Sequence, residues 1–501
     1  MFLIISGVVF SGSAKVTAAP PQGLLKLAIH FSISADWLDP ATGSHSISCH
    51  LPLYLFHDAL LKPMPGGMYT PGLAESWTFS PDCKVYEFKL REGVKFHNGD
   101  PLTADDVVFS FWRYKAHQSK LIHSKTDKVE AVNPYLVRIH FKEPFPDFLE
   151  YLLPGATTIG WIVPKKYVEK VGDAAFKRNP VGAGPYKFVE FLAGVRVVAE
   201  AFEDYWRKVP SIKRMEFYTV SETSSRVNRV KTGEAYIATS IQEVFFAEIG
   251  KDPNLRLIKS MSGTRWTVFF TTQWDPKSPW SDLRVRQAAS FAIDRKTLAE
   301  VQSPGSYPIG SIGLKDDPLA IHIPPDPYDP EKAKKLLAEA GYPKGFHGGK
   351  FYPSEGTFWP YGEQVANYWK AVGINVDTVL LDRPAVTALR EGGKMKGGTF
   401  VDSVASPTIG GALSYRFVAG SYGNYPDIVA LWEQFKKEVR PAARKDLIGR
   451  VQELIDEKKM WIPLTSQTSP AVLGPRVKGN PFRIQPHLHF SAPFEDIELV
   501  N

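Results

Sequence analysis

Residues 86–114 read YEFKLREGVKFHNGDPLTADDVVFSFWRY and carry the clearest structural pattern in the chain. Apolar residues alternate with charged ones from Tyr86 to Leu90, which is the period of a half-buried strand. The alternation resumes at Val94 and Phe96 after an Arg-Glu-Gly turn. The pattern therefore predicts two short strands joined by a turn.

A helix signal follows these strands. The run NGDP at positions 98–101 is a dense turn sequence, and Thr103 is a suitable N-cap. Asp105 and Asp106 place negative charge in the first turn, where the helix dipole favours it. An apolar stripe comes next, made of Val107, Val108, Phe111 and Trp112. The stretch predicts a capped amphipathic helix and carries no evident catalytic group.

Residues 90–107 closely resemble the signature of the family 5 extracellular solute-binding proteins, the peptide-, nickel- and opine-binding subunits of bacterial ABC importers. The family signature is LR-x-G-V-x-F-H-x-G-x-P-x-T-A-x-D-V. Other family strings occur in chain order on both sides of this signature, namely LDP at 38–40, LAESW at 73–77, RVRQA at 284–288, AGYPKGF at 340–346 and PFED at 493–496. The resemblance covers essentially the whole mature chain.

The resemblance implies an α/β fold of the periplasmic-binding-protein type (type II, cluster C), with two lobes, a hinge and an additional inserted α/β domain. Lobe I is expected to comprise residues 20–62, 185–276 and 480–501. The inserted domain is expected at 63–184, and the third lobe at 277–479. Proteins of this family capture a solute by hinge closure and deliver it to a membrane permease.

Composition is that of a soluble globular protein with more than one core. The chain has 501 residues, of which 44% are hydrophobic and 23% charged. Its formal charge of +7 is spread along the sequence, so nucleic acid is not expected as a partner. The 13% aromatic content fits either large cores or an aromatic-lined pocket for an organic ligand.

Residues 1–19 are predicted to be a signal peptide with a truncated start. The apolar run from Phe2 to Phe10 is too short to span a membrane, and small residues suit cleavage after Ala18 or Ala19. The basic n-region is missing, so either the start codon is placed too late or the run is a buried strand. The signal-peptide interpretation predicts export across the inner membrane to the periplasm, without stable membrane insertion.

Neither the cysteines nor the histidines form a clear metal motif. Cys49 and Cys83 are the two cysteines; they either pair in an oxidising compartment or are unrelated thiols. Two histidine pairs have spacings that could support metal binding, but neither has a third ligand nearby: His50 with His57, and His487 with His489. No cofactor and no metal are therefore expected.

Residues 399–426 depart furthest from the family pattern. Peptide-binding relatives have a W-x-x-D motif here, whose acid holds the α-ammonium of the ligand. This chain has FVDS at 400–403, and the spacing does not fit. The resemblance then favours a non-peptide organic solute, followed by a peptide and then a metal complex, unless the segment is simply a variable loop.

The ligand-binding residues are expected where strands leave the lobe boundary. Aromatic side chains would stack on the solute, arginines would pair with a carboxylate or phosphate, and Asp402 would accept from an amine or hydroxyl. The predicted set is Asp36, Trp37, Arg265, Trp266, Phe400, Asp402, Ser403, Tyr415 and Arg416.

No catalytic residue is predicted. The sequence has no Gly-x-Ser-x-Gly elbow and no HExxH motif, although Asp402 with Glu355 or Asp382 could be imagined as an acid/base pair. The expected function is the periplasmic solute-binding component of an ABC importer, working as a monomer with permease subunits. The alternatives are an oligopeptide- or dipeptide-binding member of the family, a secreted hydrolase, and a sensor partner or periplasmic chaperone.

Overall fold

The computed structural model describes residues 20–42, 47–115, 119–153, 159–315, 317–353, 359–381, 398–404, 406, 408–418, 425–482 and 493–500. Within these ranges no helix combines the length and the apolar character that a membrane crossing needs.

The chain up to residue 184 contributes one strand to a large sheet and then builds a smaller sheet with its own helices. Its strands are β1 Gln22–Ile29, β2 Asp58–Ala59, β3 Leu61–Met64, β4 Gly67–Pro71, β5 Ala74–Phe79, β6 Val85–Leu90, β7 Thr126–Asn133, β8 Leu136–Phe141 and β9 Trp161–Ile162. The smaller sheet has the order β5-β6-β8-β7, while β2 pairs with β9 and β3 with β4. Its helices are α1 His50–Phe56, α2 Ala104–Arg113, α3 Ser119–Lys125, α4 Phe148–Tyr151, α5 Lys165–Val171 and α6 Asp173–Arg178.

Residues 185–276 return to the large sheet. The strands here are β10 Tyr186–Leu192, β11 Arg196–Ala201, β12 Ile212–Thr219, β13 Ile237–Thr239 and β14 Arg256–Phe270. The helices are α7 Thr223–Lys231 and α8 Phe246–Lys251.

The remainder is mainly helical, with strands that extend the large sheet. The helices are α9 Leu283–Phe291, α10 Arg295–Gln302, α11 Pro330–Glu339, α12 Trp359–Ala371, α13 Ile409–Val418, α14 Pro426–Phe435 and α15 Pro441–Glu457. The strands are β15 Phe346–Tyr352, β16 Ile374–Thr378, β17 Gly398–Val404 and β18 Trp461–Leu473.

The large sheet joins strands assigned to lobe I with strands assigned to the third lobe. Among the described residues it has ten strands in the order β10-β11-β12-β1-β13-β18-β14-β17-β15-β16. Strand β1 is parallel to β12 and β13, whereas β18 is antiparallel to both of its neighbours, β13 and β14. The boundaries assigned to the lobes and the inserted domain remain a prediction.

The stretch 86–114 forms the centre of the smaller sheet and the helix packed on it. Strand β6 lies between β5 and β8, which confirms the first predicted strand. The second, expected at Val94 and Phe96, is wrong, because the region makes only an isolated bridge between Lys95 and Pro101. Gly93, at φ 75°, turns the chain too tightly for a ladder, yet Val94 and Phe96 are still buried.

The predicted helix cap is confirmed. Thr103 is the N-cap of α2, and it forms a capping box with Asp106, whose carboxylate accepts from the Thr103 amide at 2.9 Å. Two otherwise unpaired backbone donors at the helix start are thereby satisfied. The apolar stripe of α2 then packs into the core of the inserted domain through Val107 and Phe111.

Two glycines allow the chain to return from the inserted domain to lobe I. The string VGAGPY occupies positions 181–186. A Cβ on Gly182 would lie 1.9 Å from the Phe56 carbonyl oxygen, and one on Gly184 would lie 2.5 Å from that of Leu55. These glycines therefore serve close backbone packing against α1, as the turn interpretation of this string requires.

Candidate functional site

The site begins at the edge of lobe I where its parallel strands end. Strands β12, β1 and β13 point the same way and finish together. Thr239, the last residue of β13, is level with Ala471 of β18, which in turn pairs with Ile258 of β14. Strand β14 then runs on to residue 270, so β14 and β18 cross from this edge into the third lobe. Carboxyl edges of open α/β sheets are a common place for ligands.

Both crossing strands are irregular just beyond that edge. Their register shifts between Met261 and Arg265, where Gly263 adopts φ 66°. The Ser262 hydroxyl donates to the Gln467 carbonyl at 3.0 Å and accepts from the Thr264 amide at 3.1 Å. The bulge is thus held by hydrogen bonds but interrupts the ladder, which makes it the natural place for the strands to bend.

A row of polar side chains lies directly after the bulge. In the β14–β17 ladder Arg265 pairs with Val404, and Thr267 with Asp402. Alternate residues share a face, so Arg265, Thr267 and Asp402 lie on the same side of the sheet. Arg265 is only 1% exposed, and its guanidinium donates to the carbonyls of Ser406, at 2.9 Å, and of Gly263.

Thr267 and Asp402 are also enclosed in this conformation. Asp402 is 9% exposed, and its carboxylate accepts from the Ser403 amide at 2.8 Å. The Thr267 hydroxyl is completely buried and has no hydrogen-bond partner within the described part of the chain. A buried hydroxyl without a partner costs free energy, and a ligand that hydrogen-bonds to Thr267 would recover that cost.

The structure brings five of the predicted ligand residues onto β14 and β17, but on two faces. Phe400 is on the face of Arg265 and stacks on Phe269, with ring centroids 5.1 Å apart. Trp266 and Ser403 are on the opposite face, where Trp266 stacks on Tyr361 at 5.1 Å. Trp266 and Phe400 belong to two separate hydrophobic cores, and their contact with a solute stays a prediction.

The remaining predicted residues lie elsewhere. Asp36 and Trp37 are in a short 3-10 turn that follows β1 at the carboxyl edge. The Asp36 side chain is 62% exposed and pairs with Lys177 at 2.8 Å, while the half-buried Trp37 packs on Phe31. The side chains of Tyr415 and Arg416, and the residues Glu355 and Asp382, lie outside the described residues.

Carboxyl groups that the sequence did not single out collect beside this row. Glu150, from the inserted domain, accepts from the Thr408 hydroxyl at 2.7 Å. Asp317, from the third lobe, accepts from the amides of Leu319, at 2.9 Å, and of Ile409, the first residue of α13. No local pattern announces this meeting, since Glu150 and Thr408 are 258 positions apart.

The carboxyl groups at this junction hold their protons unusually tightly. Burial, followed by the charge of Asp147, raises the pKa of Glu150 to about 8, against the opposing hydrogen bond from Thr408. Burial also raises the pKa of Asp317, although two backbone amides oppose the shift. Tyr69 has a raised pKa from burial and from the same acids, even though 40% of its surface as a whole is exposed.

Within the described ranges no group of three or more His, Cys, Asp and Glu residues could hold a metal ion. His57 donates its Nε2–H to the Leu38 carbonyl at 2.9 Å, and burial lowers the pKa of His57 to about 4. His487 and His489 lie outside the described residues. Cys49 and Cys83 do not pair in a disulfide, because they are buried in two different cores.

Comparison with known proteins gives one family and one fold. The sequence profile described as bacterial extracellular solute-binding proteins, family 5 middle, matches residues 68–402. The chain is 27% identical over 460 residues to heme-binding protein A of Haemophilus influenzae, covering 82% of this chain and 81% of that protein. It is 29% identical over 462 residues to the glutathione-binding protein GsiB of Escherichia coli O157:H7, covering 85% of each.

A solved structure shows the same architecture. The ABC transporter substrate-binding protein CtaP from Listeria monocytogenes superposes with a TM-score of 0.81 at 21% identity, covering 96% of this chain and all of that one.

Proposed function

Because the chain belongs to the bacterial extracellular solute-binding proteins of family 5, it is the solute-binding component of an ABC importer, and we propose that it captures a small organic solute where β14 and β18 cross between the lobes. The observation that carries this location is the buried polar row of Arg265, Thr267 and Asp402 directly beyond the strand bulge. A few convergent polar groups of this kind are what orients a small ligand in a binding cleft.

The bulge at residues 262–264 supplies the hinge of this proposal. A solute that contacts both lobes binds the closed form better than the open one and shifts the population towards it. The enclosure of Arg265 and Asp402 is then the consequence of closure, and opening at the bulge exposes them to solvent. Asp36 and Trp37, at the carboxyl edge of lobe I, form the opposite wall.

The charges of the row limit the chemistry of the solute. Arg265 and Asp402 are diagonal neighbours on one face, at a separation of about 7–8 Å between backbones. This spacing suits a small solute with an anionic group for the guanidinium and a hydroxyl or amine for the carboxylate. Among the ligand classes, a non-peptide organic solute comes first, then a peptide, then a metal complex.

Family members are extracellular or periplasmic binding proteins that work with ABC permeases. The finer proposals are export by residues 1–19 as a signal peptide, action as a monomer, and release of the solute chemically unchanged. Closure brings lobe I and the third lobe into one fixed geometry, which is the form a permease can recognise.

The test is to identify the solute and then remove its contacts. Solute released by denaturing the purified protein is identified by mass spectrometry, and the refolded protein is titrated with it, with haem, with glutathione and with dipeptides. Arg265→Lys and Asp402→Asn are expected to weaken binding of the released solute at least tenfold. Asp377→Asn is the control, since its 67% exposed side chain pairs only with His347 in the described part of the chain.

Unchanged solute affinity in both variants would refute the proposed location of the binding site. A solute recovered in hydrolysed form would instead support the alternative of a secreted hydrolase.

A further inference from the structure

One short segment of the inserted domain, residues 145–151, touches the third lobe in several places. Asp147 forms an ion pair with Arg444 of α15, and both side chains are at most 15% exposed. Arg444 also donates to the carbonyls of Phe435 and Glu438, each at 3.0 Å, and its guanidinium lies 4.2 Å from the centre of the Phe435 ring. These contacts hold the Arg444 guanidinium at the end of α14, where it pairs with the Asp147 carboxylate.

The second contact joins Glu150 to the start of α13. Thr408 donates its hydroxyl to Glu150 and accepts from the Gly411 amide at 3.0 Å. Gly410 leaves room for the carboxyl group, because a Cβ at that position would lie 3.2 Å from the nearer Glu150 oxygen. The first turn of α13 therefore has room for the Glu150 side chain of the inserted domain.

An apolar contact accompanies the two polar ones. Val439, in the turn between α14 and α15, packs against the core of the inserted domain. That core reaches the segment through Phe145 and Phe148, which are almost completely buried. The segment consequently meets the third lobe by an ion pair, a hydrogen bond and an apolar side chain.

We infer that residues 145–151 are a latch, which forms when the lobes close and sets solute affinity without touching the solute. The inference rests on the proposed hinge closure. The latch and the hinge are separate: the bulge lies on β14 and β18, whereas the latch partners lie just before α13 and on α15. Rotation at the bulge must therefore part the segment from Thr408 and Arg444.

The latch acts through the population of the closed form. The apparent dissociation constant equals the intrinsic one divided by the fraction of protein that is competent to bind. Loss of either polar contact lowers that fraction in the solute-free protein. Asp147→Asn and Thr408→Val are each expected to weaken solute binding about tenfold, mainly by faster dissociation.

The decisive measurement is made without solute. Spin labels at Lys128→Cys on β7 and Lys335→Cys on α11, both highly exposed positions, report the distance between the inserted domain and the third lobe. Asp147→Asn and Thr408→Val should shift this distance distribution towards longer values, and Asp147→Glu should restore it. Glu169→Gln is the matched control, because it removes the Lys165 ion pair within the inserted domain.

Unchanged distances and dissociation rates in both latch variants, with unchanged unfolding midpoints, would overturn the latch. Failure of the proposed solute site gives a different pattern. In that case Arg265→Lys and Asp402→Asn leave solute affinity intact, while the solute-free distances still respond to Thr408→Val.

Discussion

Solute binding should weaken as the pH rises, because Glu150 takes up a proton when the lobes close. Burial raises the pKa of Glu150 to about 8 in this structure, which the proposal takes as the closed form, and opening that exposes the carboxyl group to water should return the pKa towards its ordinary value of 4.5. The closed form therefore holds a proton that the open form has released between these pH values. A group whose pKa is higher in the closed form than in the open form stabilises the closed form fully below the lower pKa. That stabilisation is lost as the pH rises through the higher pKa.

The magnitude follows from one linked proton. Each pH unit in this window changes the closing equilibrium by up to about 1.4 kcal/mol, which is about tenfold in affinity. The dissociation constant should rise about tenfold from pH 6 to pH 7 and level off above about pH 8. The charged and titratable groups that face Glu150 are Asp147 and Tyr151 on its own segment, Tyr69 on β4, Asp317, and Arg444 on α15.

Isothermal titration calorimetry in buffers of different ionisation enthalpy measures the proton directly. Near pH 6.5 up to about one proton should be taken up per solute bound. Glu150→Gln mimics the protonated carboxyl group and keeps its shape, so the tenfold rise of its dissociation constant between pH 6 and pH 7 should be lost. If the variant keeps the slope of the natural chain, or if the natural chain takes up no proton, the linkage to Glu150 is refuted.

Two further predictions concern stability. Gly182→Ala should lower the free energy of unfolding, measured by urea titration, by about 2–4 kcal/mol. The added Cβ would lie only 1.9 Å from the Phe56 carbonyl oxygen. Gly250→Ala is its control, since it has open space around it and lies within α8, and it should be neutral or stabilising; equal losses in the two would contradict the packing argument. Thr103→Ala removes one half of the capping box with Asp106 and should cost about 1 kcal/mol, measured by the same urea titration. An unchanged midpoint would mean that the cap contributes nothing to global stability.

Family and fold class could be predicted from the sequence, and both are confirmed. Local chemistry explains this success: alternation predicted β6, and the cap at Thr103 predicted α2. The same alternation failed at Val94 and Phe96, where a left-handed glycine turns the chain. Alternation indicates which side chains are buried, and Val94 and Phe96 are buried although they do not form a strand.

The candidate site was only partly accessible from the sequence. Strand patterns placed Arg265 and Asp402 near the lobe boundary, and the ladder makes them neighbours. They could not show that Trp266 and Phe400 would face two helical layers, because periodicity identifies a face but not what covers it. The meeting of Glu150 with Thr408 has no local signal, since it depends on how two distant parts of the chain approach each other.

The position of β18 in the large sheet constrains the order in which the chain can assemble. It is the last strand in the described sequence, yet it lies between β13 and β14 near the middle of the sheet. Until residues 461–473 emerge, β13 and β14 have no shared neighbour, and the first and third lobes exist only as two half-sheets. The smaller sheet is complete by residue 141 and can form much earlier. Closing the largest sheet therefore waits for contacts of long sequence separation, which form slowly, whereas the smaller sheet depends on segments that are close in sequence.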